Sequence, residues 1–267
     1  MKKTPDVRNV LLNCATAIQA ESVAVLLSGG IDSASVMFAM LQAGKRVTAY
    51  TFMLDGVMST DFHLARRNAR EFGCEFVPLF LPKGIEQLKS DLLRLRELGA
   101  KKKTDYECGW PMLYAYAAAR ESVVVSGMGA DGHFCISKKG MIHWRDKIDD
   151  FRRGLYSSES YAQKPIHARL AASLGKTVCT PYLTKPMQEQ FLGTTWEQVN
   201  RPNQKQPIID AFPKQFARMK VMKHVNLQLG DSGIAAHFEK LLTSDWNRAG
   251  HKSVVGIYNK ITSGELQ

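Results

Sequence analysis

Residues 23–33 read Val-Ala-Val-Leu-Leu-Ser-Gly-Gly-Ile-Asp-Ser, and no other stretch of the chain restricts its fold so strongly. An apolar run of strand length meets a turn of Ser28, Gly29 and Gly30, and a helical pattern over 34–42 follows at once. Such a turn suits an anion, because glycines let the backbone approach closely while amide N–H groups and a helix N-terminus face the ligand. Ser28 and Ser33 add hydroxyl donors and Asp32 adds a carboxylate. An aspartate beside phosphates repels them unless a cation intervenes, so Asp32 predicts a bridging Mg²⁺. A bare tight turn is the plainer reading, and the Ser, Asp, Ser set at these offsets outweighs it. Neither G-x-x-x-x-G-K-[ST] nor a strand–helix G-x-G-x-x-G occurs.

Strand and helix alternate through residues 1–132. A helix is expected over 7–20, strands over 46–52, 75–80 and 122–125, and helices over 60–72, 84–98 and 111–120, the last opening at Pro111. Residues 101–107 read as a polar loop. The alternation predicts an α/β fold, a doubly wound parallel sheet covered on both faces. In such sheets ligands bind at the carboxyl ends of strands, at the switch point. Beyond Gly140 the pattern becomes mainly helical over 145–174, then short helices broken by Pro186, Pro202, Pro207 and Pro213. The expected organisation is a nucleotide-binding core at 1–140 and a helical lobe at 141–267 completing the crevice, the two forming one compact unit.

A second glycine turn follows the apolar run at 123–125: Ser126-Gly127-Met128-Gly129-Ala130-Asp131-Gly132. Gly127 and Gly129 permit close backbone approach, and Asp131 offers another carboxylate. Asp32 and Asp131 could hold one Mg²⁺ whose other ligands are phosphate oxygens and water, which neutralises a departing pyrophosphate.

The first loop resembles the pyrophosphate loop, S-G-G-x-D-S, of the ATP pyrophosphatase superfamily. Both loops together resemble the synthetase domain of asparagine synthetase and its β-lactam synthetase relatives, which carry S-G-G-x-D-S and later S-G-x-G-[SA]-D-E. The resemblance implies a HUP-type fold, adenylation of a substrate oxygen by ATP, and attack by ammonia or another amine. It implies that Ser28, Gly29, Gly30, Asp32, Ser33, Gly127 and Gly129 hold ATP phosphates and that Asp32 and Asp131 hold Mg²⁺. Residues 49–53 match the strand whose backbone receives adenine, which assigns Thr51, Phe52 and Met53 to the base. Thr180-Pro-Tyr-Leu resembles the family's P-F-L turn. Lys205, followed by Ile208-Ile209-Asp210-Ala211-Phe212-Pro213, resembles a K-x-x-[IL]-[LR] segment whose lysine contacts the adenylated intermediate. Lys220 and Lys223, with residues 228–233, resemble a later basic loop, making Lys205, Asp131 and Lys223 the implied catalytic set.

Departures are equally informative. Met128 stands where asparagine synthetases carry a glutamate, and methionine takes no proton. Gly132 replaces the glutamate after Asp131. The chain begins Met1-Lys2, so no N-terminal cysteine route to ammonia is expected, and a separate glutaminase subunit, free ammonia or another amine is expected to supply nitrogen. Lys205 also has a reading as a solvated loop lysine, and His133 has readings as a base or a structural side chain.

Lys and Arg number 36 against 25 acidic residues, a formal net charge of +11. ATP alone does not require such an excess, so the acceptor is either a small molecule or a nucleic acid. No nucleic-acid-binding module is visible. Five cysteines without a C-x-x-C pair argue against zinc or iron–sulfur ligation. With no signal-peptide pattern and no long apolar run, a cytoplasmic location away from membranes is expected. Two rival readings stay open: an enzyme modifying a base in tRNA or DNA, and a non-catalytic nucleotide-binding subunit.

Overall fold

The computed structural model describes residues 4–54, 56–157, 163–220, 231–245 and 254–265. Five parallel strands form its sheet: β1 (Ser22–Leu26), β2 (Arg46–Leu54), β3 (Glu75–Leu81), β4 (Val123–Ser126) and β5 (Thr177–Cys179), in the order β3-β2-β1-β4-β5. The chain winds outward from β1 to β2 and β3, then crosses to the other side of β1 to lay down β4. The switch point therefore lies between β1 and β4, and both glycine turns leave the sheet there. The α/β, doubly wound reading is correct.

Strand side chains alternate between two hydrophobic cores. Val23 and Val25 of β1 and Val125 of β4 enter one, packed by α1 (Val7–Ala17), α2 (Ile31–Gln42) and α3 (Thr60–Glu71). Ala24 and Val124 enter the other, packed by α4 (Ile85–Glu97) and α5 (Lys103–Ala118). Residues beyond 140 join both cores: Tyr182, Phe191, Ile208 and Phe216 the first, Ile166, Phe238 and Tyr258 the second. They also supply β5 to the sheet.

Two local expectations need correction. Residues 103–107 are not loop, because α5 starts at Lys103 and carries Pro111 in its interior. Asp105 Oδ2 accepts the backbone N–H groups of Lys101 at 3.1 Å and Lys102 at 3.2 Å, which seals the helix start. A proline inside a helix costs about 3 kcal/mol. Burial of Tyr106, Trp110, Leu113 and Tyr116, at about 1.5–3 kcal/mol per large apolar side chain, offsets it. The second correction concerns Pro186, Pro207 and Pro213, which open helices rather than break them. They occupy the first turns of Lys185–Phe191, Gln206–Ala211 and Pro213–Arg218, where an amide donor is not needed.

Two buried histidines give the fold a pH dependence. Burial lowers His133 from 6.5 to about 3 and His167 from 6.5 to about 4. An unfolded chain protonates both as pH falls below 6.5 while the fold keeps them neutral, so the unfolded state binds more protons. Stability is therefore lost on acidification through that window and is unaffected by these groups above it. The unfolding free energy should drop between pH 6.5 and 5 by about 2 kcal/mol per histidine. In urea titrations, His167→Gln should flatten the pH slope by one such share. An unchanged slope would refute the assignment. Among the described residues no helix is long and apolar enough to cross a membrane.

Candidate nucleotide site

The first loop is closed by its own serines. Ser33 Oγ accepts the Ser28 N–H at 2.9 Å and lies 2.9 Å from Ser28 Oγ, which in turn accepts the Gly30 N–H at 3.2 Å. Gly30 precedes α2 without a side-chain cap, so no capping side chain seals the positive end of that helix. Gly29 is required sterically, because a Cβ there would lie 2.9 Å from Leu64 Cβ. Its N–H donates to Asp61 Oδ1 at 2.7 Å. Asp61 is a site residue that the sequence reading missed. It stands in the first turn of α3 behind the Ser59 N-cap, where an acidic residue reads only as a helix start. Burial raises its pKa, the Gly29 hydrogen bond opposes that, and the charge of Asp231 adds to it.

The second loop is pressed against the first. A Cβ on Gly127 would lie 2.6 Å from the Asp32 carbonyl carbon and 2.8 Å from Ser33 N, so only glycine allows this approach. Gly129 has φ +93° and faces Leu183, whose Cδ2 would be 2.2 Å from a Cβ. Tyr156 donates its hydroxyl to the Gly129 carbonyl at 2.8 Å. At Gly132, Leu155 Cδ2 and Tyr156 Oη would sit 2.2 and 2.6 Å from a Cβ, so a side chain there would have to displace the ends of both. Met128 is half-buried, and its N–H donates to Ser126 Oγ at 3.2 Å.

From these loops Asp32 and Asp131 converge on a single cation. Lys205 Nζ lies 2.6 Å from Asp32 Oδ2 and 2.5 Å from Asp131 Oδ1. The lysine is only 4% exposed, which removes the solvated reading. Its backbone is left-handed at φ 60°, a strained conformation for a non-glycine residue. Asn200 supports it by accepting the Lys205 N–H at 3.3 Å while donating to the Phe134 carbonyl at 2.9 Å, so the segments carrying Lys205 and Asp131 share one bracket. Burial alone would lower the pKa of the ammonium, but the charges of Asp32 and Asp131 outweigh it and hold it above the ordinary lysine value.

Among the described residues no group of three or more His, Cys, Asp or Glu gathers as a complete metal cage. Two carboxylates that already share one positive charge are instead the set Mg²⁺ takes when phosphate oxygens and water complete its shell, so the residues fit that ion.

The strand that carries Thr51, Phe52 and Met53 outruns its neighbour β1. Pairing of β2 with β1 ends at Tyr50, while pairing with β3 continues through Leu54. Thr51, Phe52 and Met53 thus extend past β1 beside the first loop, and Thr51 Oγ1 donates to the Leu27 carbonyl at 2.7 Å. Lys223 lies outside the described residues. His133 is structural: it is fully buried, stacks on Tyr156 and Phe191 at 4.8 and 4.4 Å, and donates Nε2–H to the Tyr182 carbonyl at 2.8 Å. Beneath it, Arg152 is 1% exposed and donates to the carbonyls of His133, Phe191 and Thr194 and to Asp149. Burial raises the thiols of Cys74 to about 11 and of Cys108 and Cys179 to about 12, which leaves them protonated at neutral pH.

A parallel sheet of this winding, with a glycine–serine loop and an opposed acidic loop at its switch point, defines a nucleotide-binding α/β protein of the PP-loop class. The family model described as asparagine synthase matches residues 7–240, and the chain belongs to that family. No curated protein matches the chain. Among solved structures it is similar to the U34-tRNA thiolase NcsA from Methanococcus maripaludis with its [4Fe-4S] cluster, at 13% identity, TM-score 0.43, 97% of this chain and 76% of that one. It is also similar to the NMN synthetase from Francisella tularensis, at 16% identity, TM-score 0.36, 83% of this chain and 96% of that one.

Proposed function

We propose that this protein is an adenylating ligase that converts ATP to AMP and pyrophosphate while activating a carboxylate or carbonyl oxygen for attack by an amine. The observation carrying the reading is the meeting of Asp32, Asp131 and Lys205 at the mouth of the two glycine loops. Phosphates would be received at the N-terminus of α2, with the amides of the Ser28–Gly30 turn recruited only by exchange from Ser33, Asp61 and Ser28, and adenine by the open edge of β2 at Thr51, Phe52 and Met53. Asp32 and Asp131 would hold Mg²⁺, which when bound supplies positive charge to the leaving pyrophosphate.

In the first step the acceptor oxygen attacks the α-phosphorus and the bond to the bridging oxygen breaks, so pyrophosphate leaves with the electron pair. In the second step an amine nitrogen attacks the activated carbon, AMP leaves, and the nitrogen gives up a proton. Lys205 is the buried cation positioned to stabilise charge developing on the phosphoryl oxygens. Because Met128 and Gly132 offer no base, the amine arrives unprotonated or loses its proton to water or substrate. Ammonia or the amine is supplied from solution or by a separate subunit.

The test incubates the protein with ATP, Mg²⁺, panels of carboxylic acids and nucleic acids, and ammonia or amines, then separates the nucleotides. AMP and pyrophosphate in equal amounts, dependent on one acceptor, are expected. ADP and phosphate, or bound ATP that is never cleaved across the panel, would overturn the reading.

A further inference from the structure

The exposed side of α3 carries His63, Arg66, Arg67 and Arg70, which with Glu71 line an open groove of about 490 Å³. No ion pair of Arg66, Arg67 or Arg70 occurs among the described residues, whereas Glu71 is already taken by Arg218, with contacts of 2.7 and 2.9 Å. The wall of the groove continues into helix Pro213–Arg218, and the Lys220 carbonyl accepts from Asn68 Nδ2 at 3.5 Å, so the chain bearing Lys220 crosses α3 beside it. The upper end begins at His63, two positions past the Asp61 that holds Gly29 of the nucleotide loop.

Like charges at i,i+3 and i,i+4 weaken a helix by a few tenths of a kcal/mol per pair. Here Arg66 and Arg70 stand at the i,i+4 spacing, and no acid among the described residues forms an ion pair with either. We propose that this groove binds the phosphodiester backbone of a nucleic-acid strand and leads it to the rim of the nucleotide site. The rise from Arg66 to Arg70 is about 6 Å, on the scale of two steps of a stacked strand at about 3.4 Å each. The overall charge of +11 supplies long-range attraction for a polyanion. A membrane is the poorer match, because the apolar residues of α3, Phe62, Ala65 and Ala69, are buried in the fold and its exposed face offers only charge. The inference does not rest on adenylation and is tested without ATP.

Fluorescence anisotropy of short labelled single-stranded RNA and of the matching DNA, across a salt series, reads the binding. Three phosphate contacts contribute about 2 to the slope of log affinity against log salt, a change of about 20-fold between 50 and 200 mM. The combined variant Arg66→Ala, Arg67→Ala, Arg70→Ala should lose that share of the slope while keeping the wild-type circular dichroism and melting temperature. Arg67→Glu alone should weaken binding further than Arg67→Ala. Equal loss for RNA and DNA supports backbone recognition as stated, and loss for RNA alone supports it with the 2′-hydroxyl also read. Absence of binding at 50 mM salt, or unchanged affinity and slope in the combined variant, would overturn the proposal. So would loss of binding to phosphatidylserine–phosphatidylcholine vesicles with nucleic-acid binding intact.

Discussion

Lys205→Met is expected to lower pyrophosphate release from ATP by a factor on the order of 10²–10³, the usual cost of removing one preorganised charge from a transition state. The side chain is nearly isosteric, so the apolar stem still fills its channel and only the ammonium is lost. Asp32 and Asp131 then face one another without the cation that now lies within 2.6 Å of both. Breaking a fully buried ion pair costs about 3–5 kcal/mol, but the Asp131 side chain is 51% exposed and water screens part of the repulsion, so the stability loss should be smaller. A divalent ion can replace the lost charge. Mg²⁺ should therefore raise the melting temperature of the variant more than that of the wild type in the absence of any nucleotide. Lys205→Gly, which relieves the left-handed backbone but also lacks the charge, should show the same Mg²⁺ response. Wild-type turnover in Lys205→Met would remove the lysine from the chemistry, and a melting temperature indifferent to Mg²⁺ in both variants would remove the carboxylate pair as a cation site.

The second large effect is structural. Arg152→Met should destabilise the protein by about 3–5 kcal/mol, the cost of abolishing a buried, fully bonded charge, which in a chain of this size is a fall in melting temperature of roughly 10 °C or more. The guanidinium holds the carbonyls of His133, Phe191 and Thr194 and the carboxylate of Asp149. Methionine fills comparable space and leaves those acceptors without donors, each at about 1–3 kcal/mol. The His133 carbonyl ends the short helix Asp131–Phe134, so the loss should also loosen Asp131 and weaken nucleotide binding in the fraction that remains folded. Arg152→Lys, with one donor cluster and no fork, should recover part of the stability. A methionine variant that melts with the wild type would show that water satisfies these carbonyls unaided.

Much of the fold was legible because short apolar runs and glycine turns are local signals. β1, both loops and the order of strands and helices through Ser126 could be read directly, and Asp32 and Asp131 stood out as carboxylates inside those turns. α5 was misread because its start depends on Asp105 reaching back to the Lys101 and Lys102 amides, and its interior proline survives only through burial of Tyr106, Trp110 and Tyr116. Arg152 read only as half of the basic pair Arg152–Arg153, because a helical arginine beside acidic neighbours looks solvated until three distant carbonyls close around it. The basic groove on α3 was equally hidden: the arginines are visible, but whether acids neutralise them depends on which segments pack alongside.

By itself the sequence determined the chemistry available to this protein: which turns can admit phosphate, which side chains carry charge, and which residues must hide from water. Local backbone preference and hydrophobic periodicity are encoded within a few residues, so they survive reading one residue at a time. Only the tertiary structure decided that Lys205, rather than solvent, fills the gap between Asp32 and Asp131, and that Asp61 closes on Gly29. Those contacts join positions far apart along the chain, and their strength comes from burial and short charge separation, which exist only once both cores have formed.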